Sequence, residues 1–105
     1  MVFYHATPLD NLGSICSQGL YPGPDGVVYL CKKPKECLRF SLMYGVISVL
    51  VCKVDIPKEW VIETFDHSFE FFRCRCFGST RPISATKIKA YTQYDLSSLL
   101  LSHNP

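Results

Sequence analysis

Apolar residues change their spacing several times along the chain, and each change marks an element. Residues 2 to 6, VFYHA, read as a strand, and Pro8-Leu9-Asp10 turns the chain. Leu9, Leu12, Ile15, Cys16 and Leu20 then recur at helical spacing, with Asp10 or Thr7 as the expected N-cap and Gly19 as the stop. YPGPDG at 21 to 26 is a concentrated turn signal, because Pro presets φ without offering a donor and Gly admits positive φ. VVYLC at 27 to 31 is a second strand. Residues 35 to 44 carry Cys37, Leu38, Phe40, Ser41 and Tyr44 in a weaker helical pattern closed by Gly45.

VISVLVCKVDI, 46 to 56, is long, β-branched and bounded by Pro57, which predicts the central strand of a sheet. A short turn and a strand-like VIETF follow within 58 to 68. SFEFFRCRC alternates over 68 to 76, with Glu70, Phe72, Cys74 and Cys76 on one face and Phe69, Phe71, Arg73 and Arg75 on the other. RPISATKIKAY gives a last strand around 86 to 91, and TQYDLSSLLL reads as a short terminal helix. Strand, helix, strand, helix and then strands predict an α+β fold with a mixed or largely antiparallel sheet.

With 105 residues, 48% of them hydrophobic, the chain has material for one core, so residues 1 to 105 are read as a single domain. The formal charge of +2 is spread without a dense basic run, which gives no support for a duplex-binding stripe. The start MVFYHATPLD lacks the basic and apolar regions of a secretory signal, and the longest apolar run, GVISVLVC, is of strand length. A soluble, cytoplasmic protein is therefore expected. Cys16, Cys31, Cys37 and Cys52 lie in apolar segments and are expected as buried, reduced thiols. Cys74 and Cys76 form a Cys-x-Cys with no accompanying Cys-x-x-Cys pair, so no metal is expected.

The candidate chemistry begins at His5. Thr7 shares its strand face, so an imidazole and a hydroxyl project together beside a turn, a pair suited to a ribose. Tyr29 sits in the second strand and Phe40 on the following helix. A helix folded back on that strand would set the two rings across a slot for a flat heterocycle. Each of these residues also has an ordinary reading, His5 as a satisfied core histidine and the two rings as core aromatics.

The run YHATPLDNLGSICSQGLYP, followed by GVVYLCKKPKECLRFS, resembles the start of the ADP-ribosyltransferase-like domains. These include the poly-ADP-ribose polymerase catalytic domain and the RNA 2′-phosphotransferases. The resemblance lies in a strand with His then Thr, an N-L-x-x-I-x-x-x-G-L helix and a G-[VI]-Y-hydrophobic strand, and it covers about the first 45 residues. It implies a mostly antiparallel split sheet with two or three short helices, NAD as co-substrate, and transfer of ADP-ribose to a macromolecular or small-molecule acceptor. By the same resemblance, His5 and Thr7 match the ribose-binding pair, Tyr29 the ring that stacks on nicotinamide, and Phe40 the second stacking aromatic. Cys37 lies where the polymerases often have a Ser that bonds the carboxamide, and Ala6 where they usually have Gly.

The family's catalytic Glu stands on a later strand and places fixed negative charge where the departing sugar becomes oxocarbenium-like. Glu70 is the candidate, with Glu63 the second choice, and Arg73 and Arg75 are candidates for the pyrophosphate. Two alternatives stay open: a pocket for NAD or an ADP-ribose-type nucleotide without turnover, and a protein-binding inhibitor that meets its partner through Phe69, Phe71, Phe72 and Trp60.

Overall fold

The computed structural model describes residues 1–64 and 76–97, the side chains of Phe40, Met43, Thr64 and Cys76 excepted. The expected first strand is β1, Val2–Pro8. A single 3-10 turn at Leu9–Asn11 leads into the helix α1, Leu12–Gln18. Neither Asp10 nor Thr7 caps it: the N-cap is Asn11, with no side-chain cap bond, and its amide is turned onto the Thr7 hydroxyl at 2.8 Å. Only Ile15 of α1 is buried, and Cys16, expected inside, is exposed. Gly19 ends the helix at φ 81°, where an L side chain would be strained.

Strand β2 is Val28–Leu30, α2 is Pro34–Met43 and β3 is Ser48–Asp55. A 3-10 turn at Lys58–Trp60 precedes β4, Val61–Thr64; β5 is Cys76–Ser79 and β6 is Ile88–Asp95. The last strand thus takes in Thr92–Asp95, which the sequence reading gave to a helix. Thr92 and Tyr94 pair with Val51 and Val49, and Asp95 accepts the Ser97 N–H at 3.0 Å, so any helical signal starts only after Asp95. The alternating segment 68 to 75, with Glu70, Arg73 and Arg75, lies outside the described residues.

These strands make two three-stranded sheets, ordered β1-β3-β6 and β2-β5-β4, in which all pairs are antiparallel. As expected, β3 is central, and Val49, Leu50, Val51 and Cys52 are buried in succession because both its faces are covered. On one face, Phe3, Leu30, Leu50, Val54, Ile56 and Ile83 anchor the main core, joined by Ile15 of α1. On the other, Val49, Val51 and Leu96 pack with Tyr4, Ala6, Leu38 and Leu42, the last two from α2. Each large apolar side chain so buried stabilises the fold by roughly 1.5–3 kcal/mol.

Among the described residues, β1 and β2 join the sheets at a single bridge. Tyr4 N–H donates to the Cys31 carbonyl and Cys31 N–H to the Tyr4 carbonyl, both at 2.8 Å. Beyond it β1 and β2 part, and the two sheets carry separate ladders.

Candidate functional site

The parting of β1 from β2 creates a specific problem for Tyr29. In an antiparallel strand, alternate residues direct their backbone groups to the same neighbour. Cys31 spends both of its groups on Tyr4, so Tyr29, two residues earlier, directs its carbonyl toward β1 at a level where no ladder continues. The side chain of His5 fills the gap: its Nδ1 lies 2.7 Å from the Tyr29 carbonyl oxygen. A carbonyl only accepts, so Nδ1 carries the hydrogen and donates it, which leaves Nε2 of the neutral ring as an acceptor. His5 is half-buried, and desolvation lowers its pKa, opposed by the bond to Tyr29. The neutral imidazole is therefore the form in place near neutral pH.

A groove of about 520 Å³ opens at this junction, within the roughly 300–1,000 Å³ of small-ligand sites. His5, Val27, Val28 and Tyr29 form one side, and the 21 to 25 turn contributes Tyr21, Gly23, Pro24 and Asp25. The turn closes with Gly26 N–H on the Gly23 carbonyl at 2.8 Å. Asp25 holds its end of the loop twice: Oδ1 accepts the Val27 N–H at 3.2 Å, and Oδ2 accepts the Tyr29 hydroxyl. The bond from Tyr29 is the main reason the Asp25 carboxyl is held below its ordinary pKa. Tyr21 and Tyr29 are 63% and 46% exposed, so both aromatic side chains reach the groove surface.

The structure thus brings His5 and Tyr29 together from strands 24 residues apart. Thr7 shares the His5 face of β1, opposite Leu50 where His5 stands opposite Cys52, but its oxygen is engaged by Asn11. Phe40 falls on α2, and its stacking role lies outside the described side chains. Cys37 is buried under α2, where its thiol donates to the Tyr4 carbonyl at 3.3 Å and meets Cys31. That contact, with burial second, drives the Cys31 thiol well above its usual pKa.

Glu63 lies opposite Phe77, in register with Leu30, whereas Tyr29 aligns with Gly78 and Ile62. Glu63 and Tyr29 therefore occupy opposite faces of the second sheet. Trp60, expected as an exposed partner contact, is half-buried against the core, with the Arg81 guanidinium 5.3 Å from its ring centroid.

Two groove residues, Tyr21 and Asp25, went unnoticed in the sequence. Their signal was the Pro-Asp-Gly turn itself, whose Asp stands four residues before Tyr29. Among the described residues no three His, Cys, Asp or Glu side chains gather as metal ligands, and no helix is long and apolar enough to cross a membrane. No protein-family model matches the sequence, and comparison with curated proteins gives no match.

Proposed function

We propose that this protein binds NAD in the His5–Tyr29 groove and transfers its ADP-ribose to an acceptor, as a small member of the ADP-ribosyltransferase-like fold. The observation that carries the reading is the 2.7 Å bond from the His5 ring to the Tyr29 carbonyl at the split between the two sheets. It fixes an acceptor nitrogen beside an exposed aromatic ring, the pair of groups that a ribose hydroxyl and a flat base require. The order of antiparallel strands on either side of the Tyr4–Cys31 bridge supports the same reading.

In this proposal His5 Nε2 accepts a ribose hydroxyl, and Tyr29 stacks on the nicotinamide. The glycosidic C–N bond breaks with its electron pair leaving on nicotinamide, and the acceptor nucleophile forms the new bond to the sugar carbon. Holding ligand and acceptor in one orientation supplies much of the rate. Glu70 is proposed as the carboxylate that stabilises the oxocarbenium-like sugar, with Arg73 and Arg75 on the pyrophosphate.

The test is nicotinamide release from NAD by the full chain. Wild type should release it, and His5→Ala and Tyr29→Ala should each lose NAD affinity by about tenfold or more, the order of one lost hydrogen bond or stacked ring. Glu70→Gln should keep affinity and lose turnover. Binding without release in wild type would make the protein a nucleotide-binding domain, and intact binding in both groove variants would overturn the site.

A further inference from the structure

Among the described residues that line the groove, Asp25 is the only one with a formal charge. Its carboxylate accepts from Tyr29 and from the Val27 N–H, two neutral donors, and no described Lys or Arg is bonded to it. Lys32, the nearest cation in sequence after the groove strand, is placed over the Phe77 ring, 5.3 Å from its centroid. Among the described residues, then, no cation pairs with this negative charge at the mouth of an otherwise neutral, aromatic lining.

The bond to Asp25 also acts on Tyr29. A phenol that donates to a carboxylate gains electron density on its ring, and an electron-rich ring face attracts a cation lying over it. Tyr21 adds a second exposed ring, and His5, held neutral with Nδ1–H on Tyr29, adds no opposing charge. Aromatic faces beside a carboxylate are the recognition chemistry of quaternary nitrogen.

We infer that the groove selects a flat, permanently cationic heteroaromatic ring, an N-alkylated pyridinium, over its neutral counterpart, and that Asp25 determines this preference. The inference rests on the NAD reading and adds to it: the ring that enters the groove is the oxidised, charged nicotinamide, so NAD is preferred to its reduced form. The pyrophosphate, being anionic, lies away from Asp25.

The two probes are 1-methylnicotinamide, a cation, and nicotinamide, its neutral analogue, each titrated into the labelled full chain and followed at the Val28 and Tyr29 amides. Wild type should bind the cation about threefold or more tighter, the range of an exposed cation–π and ion contact. Asp25→Asn, which removes the charge, keeps one acceptor oxygen and puts an amide donor in place of the other, should bring the ratio close to one by weakening the cation more than nicotinamide. Raising the salt should lower the wild-type ratio. Equal affinities in wild type, or a ratio unchanged in Asp25→Asn, would overturn the role of Asp25 while leaving the groove as a nicotinamide site. No saturable shift with either probe would overturn the NAD reading and this inference with it.

Discussion

The His5 ring donates its Nδ1 hydrogen to the Tyr29 carbonyl across 2.7 Å, which makes a side chain take the place of a missing rung between two sheets. The bond fixes the tautomer. Nitrogen-15 NMR of the imidazole at pH 7.5 should show Nδ1 protonated and Nε2 bare, and the opposite tautomer would remove Nε2 as a ribose acceptor.

The same residue sets a pH dependence. Its folded pKa lies below the ordinary 6.5, so the unfolded chain takes the proton first as pH falls. The His5 contribution to stability is therefore complete above about pH 7 and declines as pH drops through 6.5 toward the lowered folded value. Denaturant titrations at pH 7.5 and 5.5 should show a smaller difference in His5→Gln than in wild type. Because His67 and His103 are common to both proteins, an equal difference would contradict the account.

Gly19 and Gly26 both have positive φ, 81° and 79°, but different surroundings. A Cβ at Gly19 would come 2.2 Å from the Ile83 carbonyl oxygen and 2.8 Å from the Ala85 nitrogen, backbone that the Leu20–Ile83 bridge holds in place. At Gly26 nothing lies within 4 Å. Gly26→Ala should cost about 1 kcal/mol, the backbone strain alone, and Gly19→Ala about 3 kcal/mol or more. Equal costs, measured by urea unfolding, would show that the Gly19 clash relaxes freely.

The cysteines divide by access. Cys16 is exposed, whereas Cys31, Cys37 and Cys52 are buried, and burial, with a smaller contribution from Cys16, pushes the Cys52 thiol up to about 11. Timed alkylation of the native chain, mapped by mass spectrometry, should modify Cys16 at least about tenfold faster than Cys31, Cys37 and Cys52. Comparable rates at Cys16 and Cys52 would contradict the packing of α1 and β3.

β1 and β3 were legible as apolar, β-branched or aromatic runs, and α2 from a weaker helical pattern closed by Gly45. The run VISVLVC carries its burial on both faces in its composition, and Gly19 and Gly45 mark helix ends by the one conformation that favours them. The end of β6 was not legible, because TQYD is polar and gains its strand partners only from Val49 and Val51 across the sheet. The sequence offers His5 and Tyr29 as candidates but not the bond between them, since the parting of β1 and β2 after Tyr4 is a long-range event. Cys37 matched a ligand-binding position by resemblance, yet its thiol spends its hydrogen on the Tyr4 carbonyl. Trp60, a single aromatic beside Pro57 and charged residues, belongs to no periodic pattern from which its packing could be inferred.

Whether NAD occupies the His5–Tyr29 groove is decided by an amide NMR titration of the labelled full chain with NAD. Saturable shifts gathered at His5, Tyr21, Asp25, Val28 and Tyr29, with Lys89 and Thr92 on the far strand β6 unmoved, are the predicted result. A spectrum unchanged at millimolar NAD, or shifts confined to residues away from the groove, would contradict it.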